Sequence, residues 1–326
     1  MMEKKIKKKF HAVDIAILAV LLLYALSLIL LLCWGVLTSF KANTDFMNDN
    51  AIGLPDLSVP GIPQMGFLSA KEALAFGNYK RIFGEAFTIS AKDVSYISSL
   101  FGYIENYPQK TFNFFDIFAN SVLYSIVCSL IHAFVSFACA YLCAKYKFRF
   151  SEFIYVVMLV VMAIPIVGSS PSMITLLRNL AIYDTYFAMI ALNLNFTGVY
   201  FFVFYAHLTG VSNTYTEAAE IDGASQVGIF LKIILPLCSK VFFTVFLLQF
   251  IQTWNDYQTL LLYYPNHPTL SYAIFSIYVE SNGSMDILTA PSKIAACMIL
   301  AIPVFTLFVA FNKTLMGNLT MGGLKE

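Results

Sequence analysis

Residues 217–236 read EAAEIDGASQVGIFLKIILP and lie between two long apolar stretches of the chain. Thr214, three residues before Glu217, has the spacing of a capping box, in which a hydroxyl and a carboxylate satisfy backbone N–H groups at a helix start. A short helix is therefore predicted here, with Glu217 and Glu220 near its positive N-terminal end. Gly223 is placed to end it, because glycine reaches the left-handed backbone conformation at low cost and lets the chain reverse. A second helix, capped by Ser225, is predicted to run towards Pro236 and to pack through Val227, Phe230, Leu231 and Ile234, which recur at helical spacing. Ala218 and Ala219 give the first helix a low-relief surface suited to a partner's groove. The expectation is helix, turn, helix.

The composition explains the apolar flanks. Of 326 residues, 59% are hydrophobic and 12% charged, and the mean hydropathy is +0.73. That leaves too little polar surface for a soluble domain of this length, so the chain reads as an integral protein of a lipid bilayer. A net charge of +1 offers no global field for nucleic acid. The six cysteines (Cys33, Cys128, Cys139, Cys143, Cys238 and Cys297) fall mostly within or beside apolar stretches without paired ligand spacing. They read as small apolar residues, and no metal site is predicted.

Crossing a hydrocarbon core takes roughly twenty apolar residues in a helix. Stretches of that length occur near 13–38, 117–143, 153–176, 185–208, 238–258 and 294–314. The first follows Lys4, Lys5, Lys7, Lys8 and Lys9, is too long for a signal-peptide core, and reads as an uncleaved anchor with its N-terminus in the cytoplasm. Lys145, Lys147 and Arg149 after the second stretch, and Lys232 and Lys240 around the EAA segment, agree with that orientation. The predicted fold is an all-α polytopic membrane protein with six transmembrane helices. Its division is a basic N-terminus (1–12), a first span (13–38), an external region with short helices (39–116), a five-helix core (117–314) containing the loop 212–236, and a C-terminal tail (315–326).

Residues 217–236 match, at every fixed position, the EAA-x(3)-G-x(9)-I-x-L-P loop of permease subunits in binding-protein-dependent ABC importers, and the chain resembles that family. Thr38-Ser39-Phe40-Lys41, Asn78-Tyr79, Asn120-Ser121, Trp254-Asn255, Gly317 and Gly322-Gly323-Leu324-Lys325 resemble its carbohydrate branch, in the order of the smaller, six-helix maltose-type subunit. The resemblance implies a bacterial or archaeal inner membrane, a second homologous permease, two ATPase subunits and an external solute-binding protein. It implies that Glu217, Ala218, Ala219, Asp222, Gly223 and Pro236 couple the chain to the ATPase. It also implies that Tyr263, Tyr264 and Asn266 contact the binding protein, and that the C-terminal tail contacts the ATPase pair. No cofactor is expected on this chain, with ATP and Mg held by the partner ATPase. A phosphate-binding loop needs a lysine and a hydroxyl after its second glycine, whereas Gly66 is followed by Phe67 and Leu68.

The segment 41–116 is longer than the resemblance leads one to expect, with the excess around 84–112. Ser69 to Glu72 and Ser90 to Asp93 have capping-box spacing, so helices are predicted there, either as an external cap or as a docking surface. Within the apolar stretches, Ser121, Ser125, Ser129, His132 and Ser136 form a stripe that reads as helix-packing glue. Asn193, Asn195 and Thr197, with Gln249, Gln252 and Asp256 at i, i+3 and i+7, are the candidates for a substrate path. Their amides and carboxylate suit exchange of hydrogen bonds with sugar hydroxyls. A solute such as a polyamine or phosphate ester stays open as an alternative. An ion-coupled secondary transporter is less favoured because few ionisable groups fall near mid-span.

Overall fold

In the computed structural model, residues 12–47, 52–53, 76–83, 112–146, 148–164, 168–280 and 289–319 are described. Every regular element among them is helical: α1 (Ala12–Ser39), α2 (Asn43–Met47), α3 (Phe76–Arg81), α4 (Phe114–Lys145), α5 (Arg149–Ala163), α6 (Ser170–Asn179), α7 (Tyr186–Asn193) and α8 (Val199–Thr209). They continue with α9 (Thr214–Ile221), α10 (Gln226–Ile229), a π-turn (Phe230–Ile234), α11 (Leu235–Leu237), α12 (Ser239–Asn255), α13 (Gln258–Tyr263), α14 (Leu270–Glu280) and α15 (Ala290–Leu319). The chain forms two compact units, residues 1–86 with 281–301 and residues 87–280 with 302–326. The basic segment 1–11, the helices expected from Ser69 and Ser90 and the tail 322–326 lie outside the described residues.

In the first unit, α1 has 28 residues, roughly 42 Å at the α-helical rise. Its large apolar side chains from Val13 to Leu32 are all exposed, so no face of the helix is suited to water and its surroundings must be apolar. At its C-terminal end, the motifs Thr38-Ser39-Phe40-Lys41 and Asn78-Tyr79 come together with Ser292. Asn78 Nδ2 donates to the carbonyls of Ser39 and Lys41 at 3.0 and 2.9 Å, and Asn78 Oδ1 accepts from Ser292 Oγ at 3.0 Å. The Ser39 and Tyr79 hydroxyls pair at 2.8 Å. Ser39, Lys41 and Ser292 are fully buried, so this polar cluster closes the end of α1 away from solvent.

In the second unit, α4 packs along both α8 and α12. Phe137, fully buried, brings ring centroids of Phe204, Phe230 and Phe242 within 5.2, 5.6 and 5.7 Å, while Ala133 and Ala140 let the backbones approach. The serine stripe of α4 lies inside this packing. Ser121 Oγ donates to the Ile117 carbonyl and accepts from Leu270 N, both at 2.7 Å, and Asn120 Nδ2 donates to the Pro268 carbonyl at 3.2 Å. Ser129 donates to the Ser125 carbonyl and pairs with Thr253 Oγ1 at 3.0 Å, joining α4 to α12.

Two of the expected continuous spans are broken. The stretch 153–176 is divided into α5 and α6, with Gly168 at φ +82° in the interval. The stretch 185–208 is divided into α7 and α8. There Asn195 Oδ1 accepts from Thr197 N and Oγ1 at 2.9 and 2.5 Å, and Gly198 sits at φ +131°. A side chain that bonds the backbone two residues on offers an alternative to the helix ladder, which hydropathy does not register. The segments Gln226–Leu237 and Ser239–Asn255 meet at a 78° bend. Among the described residues, three helices, or four if that bent pair is one span, are long and apolar enough to cross a membrane.

Candidate functional site

An open cavity of about 530 Å³ lies among α4, α7, α12 and α13. That volume falls within the range of small-molecule sites. Of the residues singled out from sequence, Asn193, Gln249, Gln252, Asp256 and Tyr263 line it, joined by Tyr124, Leu192, Thr253 and Thr259. Helical periodicity puts Gln249, Gln252 and Asp256 on one face of α12 and its end. Asp256 closes α12 and opens α13: Oδ1 accepts from Thr259 N at 3.0 Å, and Oδ2 accepts from the Tyr124 hydroxyl at 3.3 Å. The side-chain amides of Gln249 and Gln252 make no hydrogen bond among the described residues. Asn193 Nδ2 donates to the Met189 carbonyl at 2.9 Å, and no partner is found for its Oδ1 among the described residues.

Sequence reasoning missed Tyr124 and Thr259. The Asp256 to Thr259 spacing is that of an N-cap and was the available signal for the second. Tyr124 reaches Asp256 across 132 residues and left no local signal. Asn195 does not line the cavity; it is exposed and shapes the turn before α8.

The residues expected to reach a binding protein are placed differently from one another. Tyr263 faces the cavity, whereas Tyr264 is only 2% exposed and its hydroxyl has no partner among the described residues. Asn266 is tied to Asp184, with N to Oδ1 at 3.2 Å and Nδ2 to Oδ2 at 2.5 Å, and His267 Nδ1 stands 3.4 Å from the same carboxylate. The segment is therefore packed against the turn before α7, and only Tyr263 among the three is directed to open space.

The loop 212–236 is a projection held at its base. Lys145 Nζ donates to the Val211 carbonyl at 2.5 Å and to Asn213 Oδ1 at 2.9 Å. The expected Thr214–Glu217 capping box does not form. Thr214 is already helical, its N–H is taken by Ser212 Oγ two residues earlier at 3.3 Å, and Asn213 holds the N-cap position. Glu217 does sit in the first turn. Gly223, at φ +79°, ends α9 as expected, with Ala224 N donating to the Ala219 carbonyl at 2.9 Å, and Ser225 Oγ caps α10 by accepting from Gly228 N at 3.2 Å. A chain of side chains crosses the turn: Tyr146 hydroxyl to Gln226 Oε1 at 2.5 Å and Gln226 Nε2 to Glu220 Oε1 at 2.8 Å.

Two expectations about its faces are corrected. Ala219 is 7% exposed and packs inward with Ile229 and Ile234, so only Ala218 of the pair is outward. Val227 and Leu231 are exposed, and the inward face of this segment, which contains a π-turn at Phe230–Ile234, is formed by Ile229, Phe230, Ile233 and Ile234. Glu217, Asp222, Gly223 and Pro236 are exposed, and Ile221 is 86% exposed at the tip.

Long apolar helices, an open cavity lined by amides and a carboxylate, and an exposed loop braced from the end of α4 are the features of a helical membrane protein. The family model described as the binding-protein-dependent transport system inner membrane component matches residues 132–316, and the chain belongs to that family. The chain is 29% identical over 210 residues to the arabinooligosaccharides transport system permease protein AraQ of Halalkalibacterium halodurans, covering 64% of this chain and 73% of that protein. It is 25% identical over 234 residues to the trehalose/maltose transport system permease protein MalG of Thermococcus litoralis, covering 71% and 83%. A crystal structure of a bacterial ABC transporter involved in import of the acidic polysaccharide alginate shares the fold, with a TM-score of 0.65 at 18% identity over 94% of this chain and 99% of that one.

Proposed function

We propose that this chain is one of two permease subunits of an ATP-driven importer and forms half of the path for a sugar or oligosaccharide delivered by an external binding protein. The observation that carries this reading is that the family match at 132–316 contains all but Tyr124 of a cavity lining in which the Gln249 and Gln252 amides have no partner among the described residues. The names of the oligosaccharide and maltose permeases to which the chain is similar support the solute class. In this reading the divided segments α5–α6 and α7–α8 each complete one of six spans, both termini are cytoplasmic, and 39–116 is external. The loop 212–236 then docks on a separate ATPase that holds ATP and Mg, through Glu217, Ala218, Asp222 and the exposed tip, with Ala219, Gly223 and Pro236 shaping the projection.

A thermal-shift screen of the cognate binding protein tests the solute class. Stabilisation by arabino- or malto-oligosaccharides is the expected result, and stabilisation by polyamines or phosphate esters alone would sink it. Gly223→Pro tests the docking, because proline cannot adopt the φ of +79° found there. The variant is expected to insert but to lose ATPase co-purification, and normal uptake would contradict the coupling role.

A further inference from the structure

The side chains around the α4–α7–α12–α13 cavity differ in how much bonding capacity the fold leaves them. Asp256 is positioned by Tyr124 and Thr259 at 3.3 and 3.0 Å, so the protein itself explains its placement. Gln249 and Gln252, nearly one turn apart on α12, keep both ends of their amides without partners among the described residues, and the Tyr263 hydroxyl is in the same state. Each amide offers two donors and a carbonyl acceptor, while each sugar hydroxyl is one donor and an acceptor, so the two chemistries complement each other without any charge. The charge balance of the lining points the same way. None of its nine residues is a lysine, arginine or histidine, and one, Asp256, is a carboxylate. At an effective dielectric of about 20, two like charges about 7 Å apart cost roughly fiftyfold in affinity. The fold alone does not set this preference, since the alginate importer shares it and takes an acidic polysaccharide.

We propose that this cavity is a binding site for neutral oligosaccharides that rejects acidic ones, with Gln249 and Gln252 contacting the sugar and Asp256, in a lining without a cation, setting the charge preference. The inference rests on the reading of the chain as an oligosaccharide permease. A site without cations gives a uronate carboxylate no counter-ion when it leaves water, whereas a neutral sugar loses only hydrogen bonds that the amides replace.

The test uses the assembled importer in nanodiscs, with both permeases and the ATPase pair but without the binding protein, and equilibrium dialysis of labelled maltotriose, arabinotriose and trigalacturonate. A neutral trisaccharide is expected to bind at least about tenfold more tightly than trigalacturonate. Gln252→Lys, at an exposed position, is expected to narrow that ratio about tenfold or more by gaining trigalacturonate, and Gln249→Ala to weaken neutral binding without a change in melting temperature. If Gln252→Lys does not assemble, Asp256→Asn serves instead: asparagine keeps the cap on Thr259, and trigalacturonate binding is expected to rise. Equal binding of trigalacturonate by the unaltered complex, or an unchanged ratio in the assembled variant, overturns the charge preference and leaves the oligosaccharide reading standing. Failure to bind any of the three sugars, with or without binding of spermidine, overturns that reading and the proposal together.

Discussion

Two polar stripes on neighbouring helices look alike in sequence and differ in what surrounds them. On α4, Ser121, Ser125, Ser129 and Ser136 are at most 2% exposed, and Ser129 bridges to Thr253 across the helix contact. On α12, Gln249 and Gln252 open onto about 530 Å³ of space. Small hydroxyls at helical spacing let two backbones close on each other, leaving no room for a guest. The longer amides on α12 reach into the cavity and keep their hydrogen-bonding groups available. The contrast separates polar residues that build the bundle from those that meet a solute. Even the buried Ser125 and Ser136 hydroxyls, which lack partners among the described residues, do not line that cavity and so belong to the first class. The loop 212–236 is a third case, in which exposed polar groups are engaged with one another and stiffen a projection.

The contrast breaks most visibly at Ser129. Ser129→Leu forces methylenes into a sealed contact and should cost about 1–3 kcal/mol, read as a fall in melting temperature in nanodiscs, whereas Gln252→Leu should leave it unchanged. Equal behaviour of the two variants would remove the distinction. Gly223→Ala imposes a Cβ at φ +79° and should cost about 1–2 kcal/mol, seen as faster hydrogen exchange across α9 and not across α12. Ser225→Ala removes the cap on Gly228 and should cost about 1 kcal/mol, confined to exchange in the first turn of α10. Exchange that spreads from either loop variant into the cavity helices would show that the two regions are not independent.

Local chemistry was legible in the sequence, and long-range placement was not. Gly223 and Ser225 announce the turn because each acts on backbone within three residues, and the structure has both in those roles. Gln249, Gln252 and Asp256 could be grouped because a helix fixes their spacing. The break between α7 and α8 was hidden because Leu194 and Phe196 keep the stretch apolar while Asn195, Thr197 and Gly198 turn it. The inward face of Ala219 depends on packing against Ile229 and Ile234, which lie beyond the Gly223 turn and outside its own helix's periodicity. Tyr264 and Asn266 looked free because their anchors, the core and Asp184, lie outside any local pattern.

The most direct measurement is ATP-driven uptake of labelled maltotriose or arabinotriose, whichever the cognate binding protein takes, into proteoliposomes holding the complete importer with Gln249→Leu and Gln252→Leu combined. The predicted result is an assembled complex with a melting temperature within about 2 °C of the unaltered one, basal ATP hydrolysis intact, and uptake reduced at least about tenfold, since two amide contacts to sugar are lost. Uptake at the unaltered rate would contradict the assignment of this cavity to the solute path.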